Sequence, residues 1–204
     1  MADIDVIERA MIKIGEPSIT NYRQSPNGTA WGIVYEDKRK ALLSSNFWRF
    51  AITRAVLAPV DEELYTNQFN YAFELPSDCL LLMQAGEFYK RPNVSDNIVS
   101  SDENYSVEGS RILSKSGNKI YIKYIRDVTD DSKWSRMFYE ALISWIAAEM
   151  CPKTKQGVQM RESLNREFER FEAKAVENNE VQKDTETLPD NSWVSAREGI
   201  GHAY

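Results

Sequence analysis

The 204-residue chain has one histidine and two cysteines, which restricts the chemistry that it can support. The histidine, His202, lies near the C-terminal end, so no body histidine can serve a nucleophile as base. The sequence has no GxSxG motif, no phosphate-binding loop and no zinc-ligand spacing. Cys79 and Cys151 are predicted to be buried small hydrophobic residues. We therefore expect a non-enzymatic protein with no cofactor and no metal ion.

The sequence also lacks long apolar runs and an excess of basic residues. Its most apolar windows, residues 79–86 and 141–148, are shorter than the about 20 residues that a helix needs to cross a bilayer. The first residues show no secretory signal, so we expect a protein made and kept in a cytosol-like compartment, with no membrane partner. The formal net charge of -6 argues against a tightly held nucleic acid, because phosphate binding needs a basic surface. It is compatible with a surface that DNA merely passes.

Two helices are predicted before residue 46. The first has apolar residues at steps of three and four, and Gly15 is expected to end it in the left-handed conformation. The second is predicted from about Thr29, acting as N-cap, to Ser44.

Two further helices are predicted in the last third. The third follows an N-cap within residues 130–132, ends at Cys151-Pro152 and is expected to be the most buried. The fourth spans about residues 154–178, and Glu162 and Arg166 are spaced for an ion pair on its surface.

The stretch NFWRFAITRAVLAP, residues 46–59, fits a helical period and a strand period almost equally well. The break before it, its β-favouring residues and the closing Pro59 favour a strand. Residues 71–75 and 79–84 follow as strands, the second one as a buried run. Residues 104–109 and 111–114 are expected to join the strand 118–128 in a hairpin through a turn at 115–118. In that strand Ile120, Ile122 and Tyr124 are expected on one face, and Tyr121, Lys123 and Ile125 on the other. Residues 91–103 are expected to form a loop.

These elements predict an α+β fold. A small bundle of four main helices is formed by residues 1–46 and 127–180, and a β-rich insertion, residues 47–126, lies between helices two and three. Residues 181–204 are expected to form an extended C-terminal tail.

Aromatic and arginine residues suggest binding surfaces, because both types are enriched at interface hot spots. In the polar tail, Trp193, Arg197 and Tyr204 are candidates for ordering on a partner; the alternative is that Trp193 packs back onto its own domain. Most of the cluster at 47–50 is expected in the core. Trp48, Arg49 and Arg54 are candidates for a subunit interface.

The order of motifs resembles the tail tubular protein A family, the head-to-tail adaptor (gatekeeper) proteins of short-tailed bacteriophages. The matching pieces cover nearly the whole chain and are IKIGEPSIT, ALLSSNFWRFAITRAVLAP, YAFELPSDCLLLM, IYIKYIRDVTDDSKWSRMFYEALISWIAAEM and DNSWVSARE. Each is a loose pattern of apolar and aromatic residues, and the likeness lies in their order and spacing. Residues 91–103 depart from it.

The resemblance implies a virion protein of the phage neck, made in the host bacterial cytoplasm. Members form a dodecameric ring between the portal protein and the tail nozzle, a tail tubular B-like protein, and leave a channel for double-stranded DNA. The helical part would form the ring and touch the portal, the β-rich part would face the nozzle, and the C-terminal segment, with Trp193, Arg197 and Tyr204, would reach along the portal.

Two other hypotheses stay open at this point. Some tail components degrade cell wall, so the chain could be a peptidoglycan hydrolase that uses Asp or Glu residues of the β-rich part. It could also be a host-derived helical scaffold unrelated to phage, which would form no ring with a portal.

Overall fold

A computed structural model describes residues 2–16, 23, 27–60, 69–88, 98–99, 105–115, 119–152 and 155–181 of the chain. The described residues form four main helices and two small antiparallel sheets, which confirms the predicted α+β class. Every strand lies between the second and third main helices in chain order. The expected tail lies outside the described residues apart from Val181, which ends the last helix.

The helical part is organised around its third helix. This helix packs against each of the other three, and nine of its residues are buried. The expectation that it is strongly buried is therefore confirmed. In chain order, the four helices are α1 (Ala2–Lys13), α2 (Gly28–Ser45), α3 (Arg136–Met150) and α4 (Lys155–Val181).

Gly15 ends the first helix as predicted. Its φ is +80°, in the left-handed region that glycine enters without steric cost. The amides of Gly15 and Glu16 donate to the carbonyls of Ile12 and Met11, so the last turn of α1 is closed by backbone hydrogen bonds.

The predicted starts of α2 and α3 are wrong in their capping residues. Asn27 occupies the N-cap position of α2, and Thr29 lies inside the first turn. At α3 the cap is Ser135, whose Oγ accepts a bond from the amide of Phe138 at 3.3 Å. Asp130 instead caps a separate 3-10 turn, Asp131–Lys133, so the chain makes two capped elements where one was expected.

In the described part of the chain, seven strands build the two sheets. The first sheet has the strand order β1-β7-β3-β4, and the second has the order β2-β6-β5. All pairings are antiparallel. The strands are β1 (Ile52–Leu57), β2 (Tyr71–Glu74), β3 (Cys79–Phe88), β4 (Ile98–Val99), β5 (Tyr105–Glu108), β6 (Arg111–Ser114) and β7 (Ile120–Arg126).

The predicted hairpin between β6 and β7 is wrong. β6 pairs with β5 through a turn at Gly109-Ser110, where Gly109 has a φ of +61°, and with β2 on its other side. β7 belongs to the other sheet, between β1 and β3. β7 is therefore a central strand, with a hydrogen-bonded neighbour on each side.

β7 separates two hydrophobic cores. Ile120, Ile122 and Tyr124 face the second sheet, where they pack around Phe73. Ile125 points the other way, into the core formed by the four helices. The predicted alternation along β7 is therefore confirmed, and this strand joins the β-rich part to the helices.

The stretch at residues 46–59 is a strand only in its second half. Residues 49–51 form a 3-10 turn, and β1 begins at Ile52. Within the expected loop at 91–103, residues 98–99 form the short strand β4, and the other residues of that loop lie outside the described part.

Candidate interface surfaces

Trp48 is a core residue, so the expectation that it forms part of a subunit interface is corrected. Its side chain is 1% exposed, and its indole nitrogen donates to the Leu42 carbonyl at 2.7 Å. The ring stacks on Phe50 and meets the edge of Phe138 at a centroid distance of 5.1 Å. A side chain with these contacts offers no surface to a neighbouring subunit.

Arg49 lies beside Trp48 but on the surface, where it fixes the end of α4. The Arg49 amide donates to the Asn179 side-chain oxygen at 2.9 Å, and the Arg49 Nε donates to the Asn179 carbonyl at 3.2 Å. The Asn179 amide group donates in turn to the Phe47 carbonyl at 3.1 Å. These three bonds fix the position from which residues 182–204 continue.

Apolar side chains stay exposed near these three hydrogen bonds. Phe47 is 56% exposed and Val181, two residues beyond Asn179, is 79% exposed. The predicted tail residues Trp193, Arg197 and Tyr204 lie outside the described residues. The structure therefore locates the root of the tail without describing its candidate binding residues.

Arg54 is exposed on β1, the outermost described strand of the first sheet. Val56 lies two residues further along the same face and is 53% exposed. Of the three interface candidates named from the sequence, Arg49 and Arg54 thus lie on the surface.

A groove runs along β3. It has a volume of about 990 Å³ and is open to solvent, and its lining is mostly apolar. Five consecutive β3 residues, 79–83, line it together with residues 74–77 and with Tyr105 and Val107 of β5. We call this cavity the β3 groove.

The β3 groove corrects the expectation that residues 79–84 are a buried run. All six residues retain exposure, and Leu81 is 37% exposed. Cys79 is likewise only half-buried, whereas Cys151 is buried as expected. The register between β3 and β7 shifts twice, so neighbouring β3 side chains turn towards the same side.

The sequence did not predict the β3 groove, because an apolar run has the same pattern whether the surface that covers it belongs to the same chain or to another one. One signal was present: the segment CLLLMQAG contains no charge and no proline. Natural edge strands usually contain one of these, because both hinder pairing with another chain.

A buried ion pair connects the helices to the β-rich part. Arg39 of α2 donates two hydrogen bonds to the Asp127 carboxylate, from Nε at 3.0 Å and from Nη2 at 2.8 Å. Both side chains are largely excluded from solvent. The Asp127 amide donates to the Asp78 carbonyl, directly before β3, so this pair also fixes the start of the β3 groove.

A polar hollow lies where α1 meets the start of α3. Burial, together with a short hydrogen bond from its hydroxyl to Asp5, raises the pKa of Tyr139 well above its ordinary value. Tyr139 is therefore a neutral donor at physiological pH. Arg9 and Arg136 lie over its ring, and each also pairs with a carboxylate, Asp5 or Glu140. These contacts connect α1 with the start of α3, so we interpret the cluster as structural.

No protein-family model matches the chain, and no curated protein is significantly similar to it. Among the residues that the structure describes, no three His, Cys, Asp or Glu side chains lie close enough to hold a metal ion. None of the helices, as far as they are described, is both long and apolar enough to cross a membrane.

Proposed function

We propose that this protein is a structural head-to-tail adaptor of a short-tailed phage virion. Copies would form a ring, dodecameric by the family resemblance, between the portal protein and the tail nozzle. Double-stranded DNA would pass through the central channel without specific binding. The order of motifs along the sequence supports the class of protein, and the β3 groove supports a role in assembly.

The observation on which the proposal depends is the open apolar surface of the β3 groove. The subunit fills one core among its helices and another between its sheets, yet it leaves 79–84 partly exposed. A groove that is open to solvent and lined mainly by apolar side chains offers contact area to an apolar partner. An assembly protein needs such a surface, because side chains of its partners cover the apolar residues that the free subunit leaves exposed.

The alternative of a peptidoglycan hydrolase has less support. Glycoside hydrolysis uses two carboxyl groups on either side of the scissile bond. Among the described residues that line the β3 groove, Glu74 is the single carboxylate, and it lies beside leucines, a proline and a methionine. The groove therefore suits an apolar polypeptide better than a sugar chain.

The charge of the chain suits a conduit for DNA. A wall that must let DNA pass has to avoid strong phosphate contacts, and a net charge of -6 repels phosphate. The same charge, repeated around a ring, opposes self-assembly of free subunits. Contacts with a portal would then offset the repulsion, and in this proposal Trp193, Arg197 and Tyr204 of the tail make them.

Electron microscopy of the protein mixed with its portal tests the proposal. We expect closed rings seated on the portal with the full chain, and loss of portal binding when residues 187–204 are deleted. Absence of any ring on the portal would refute the adaptor function. Rings that form equally well without residues 187–204 would refute only the role of the tail.

A peptidoglycan assay separates the adaptor from the hydrolase. We expect the purified protein to leave peptidoglycan intact, together with a Glu74→Gln control of equal purity. Clearing by the parent chain that the Glu74→Gln variant loses would favour the hydrolase.

A further inference from the structure

The end of α4, residues 176–181, contains few of the features that usually stabilise a helix end. We call these six residues the tail root, because the predicted tail continues from them. Ala175 is the last buried apolar residue of α4, and Val176 is only partly buried. The last turn has no basic residue, and Glu177 and Glu180 place negative charge near the negative end of the helix dipole. The sequence of the tail root therefore stabilises its helix poorly.

Hydrogen bonds from residues 47–49 supply what the tail root lacks. The Arg49 Nε donates to the Asn179 carbonyl at 3.2 Å, and this carbonyl is one of the last four, which a helix leaves unpaired within itself. The positive charge of Arg49 also suits the negative end of the helix. Asn179 is 9% exposed, and its side chain accepts from the Arg49 amide at 2.9 Å and donates to the Phe47 carbonyl at 3.1 Å. Asn179 thus takes part in all three bonds.

The segment that holds the tail root is itself anchored in the core. Trp48 lies between Phe47 and Arg49 in the sequence, is 1% exposed and donates to the Leu42 carbonyl. Ala51, two residues after Arg49, is fully buried, and β1 begins directly after it. The tail root is therefore held against a part of the chain that the helical core keeps in place.

We propose that Asn179 and Arg49 are positioning residues for the tail. They keep the tail root helical, so that the residues beyond it start from one fixed point and in one direction. The inference rests on the proposed function, in which the tail contacts the portal. A binding segment that continues from an ordered root loses less conformational freedom on binding than one that continues from a disordered root. Asn179 and Arg49 act in this way without touching the portal.

The size of the effect depends on the fraction of subunits in which the tail root is closed, meaning helical and bonded to residues 47–49. The structure shows the closed form. If the portal binds this form, the apparent dissociation constant rises as the inverse of the closed fraction. Asn179→Ala removes the two side-chain bonds, which shifts the equilibrium towards the open form by roughly tenfold or more.

Hydrogen exchange of the free, full-length protein tests whether these bonds hold the tail root. Asn179→Ala is compared with Asn178→Ala, which changes the neighbouring asparagine, whose side chain is exposed. We expect Asn179→Ala to speed amide exchange in residues 176–181 by about tenfold or more and to leave exchange in α3 unchanged. Asn178→Ala should leave exchange in the tail root unchanged or slow it, because alanine is the better helix former.

Portal affinity is the measurement that a merely structural role would not move. Both variants are assayed as full-length chains whose urea midpoints show that the helical core is folded. Asn179→Ala should weaken portal binding roughly three- to tenfold, in proportion to the loss of the closed form, and Asn178→Ala should match the parent chain. Arg49→Gln removes the third bond from the other side and should act in the same direction with a smaller effect.

The outcomes separate the inference from the proposed function. Unchanged portal affinity in an Asn179→Ala chain whose tail root exchanges freely would overturn the inference and leave the adaptor function intact. Tighter binding by that variant would also overturn it, because the portal would then select the open form. Slow exchange of the tail root in both Asn179→Ala and Arg49→Gln would show that these bonds do not hold it. Absence of portal binding by the parent chain would refute both the proposed function and the inference.

Discussion

The two most apolar segments of the chain, residues 79–86 and 141–148, are used differently. In α3, all of residues 141–148 except Trp145 are buried between the other helices. In β3, Ala85 is the one buried residue of 79–86. Apolar composition thus shows that a segment needs a partner surface, but it does not show whether the same chain provides that surface.

The difference has a topological origin. α3 is central, with α1, α2 and α4 packed around it. β3 pairs with β7 over residues 79–86, and on its other side the described part of the chain shows β4 at Glu87 and Phe88. Among the described residues, the helical part therefore surrounds its central element on several sides, whereas the β-rich part leaves the β3 groove open to solvent.

The largest expected effect comes from a matched pair of leucines. Leu142→Ala in α3 should lower the free energy of unfolding by about 3 to 5 kcal/mol, because the side chain is fully buried and its removal leaves a cavity. Leu81→Ala in β3 should cost about 1 kcal/mol or less in the free subunit, since Leu81 is 37% exposed.

Urea denaturation of both variants measures this contrast. In the proposed adaptor ring, a partner that covers the β3 groove would also cover Leu81, and the same Leu81→Ala variant should then weaken ring formation. Equal losses of stability in the free subunit would mean that β3 is as well packed as α3, and the comparison would then fail.

The next effect concerns the ion pair that connects the two regions. Asp127→Asn should destabilise the fold by about 3 kcal/mol, because it leaves the Arg39 guanidinium buried without its counter-charge. The control is Glu162→Gln, which removes an exposed pair with Arg166 at 3.7 Å and should cost less than about 0.5 kcal/mol.

Thermal unfolding at low and high salt distinguishes these pairs. The loss from Asp127→Asn should persist at high salt, because ions do not screen a buried pair, whereas any loss from Glu162→Gln should disappear. If the loss of stability in Asp127→Asn depended on salt, the Arg39–Asp127 pair would be solvated. The helices and the β-rich part would then be more loosely connected.

Much of the helical part could be predicted from the sequence, because its signals are local. The apolar steps of α3, its end at Cys151-Pro152 and the left-handed Gly15 follow from neighbouring residues alone. The partners of the strands could not be predicted in this way. β6 and β7 are close in sequence but lie in different sheets, because long-range packing of β7 between β1 and β3 decides the pairing.

The candidate surface residues, too, could be predicted from the sequence only in part. Trp48 was a candidate because it is an aromatic residue near arginines in the sequence. Its place in the core depends on Phe138, ninety residues later in the chain. Arg49 and Arg54 are exposed, yet the groove lies along β3, where the sequence offers only an uncharged run. The composition of residues 47–54 suggested an interface. It could not show which of their side chains are buried and which are exposed.

The smallest predicted effect tests where the most buried helix begins. Ser135→Ala should lower the stability by about 1 kcal/mol, since it removes the hydrogen bond to the Phe138 amide. Thr29→Ala, at the position expected from the sequence to cap α2, should change stability little, because Thr29 is exposed inside the first turn. Alanine is also a good helix former there. Urea midpoints of the two variants under identical conditions measure the difference, and a larger loss at Thr29 than at Ser135 would contradict the observed capping.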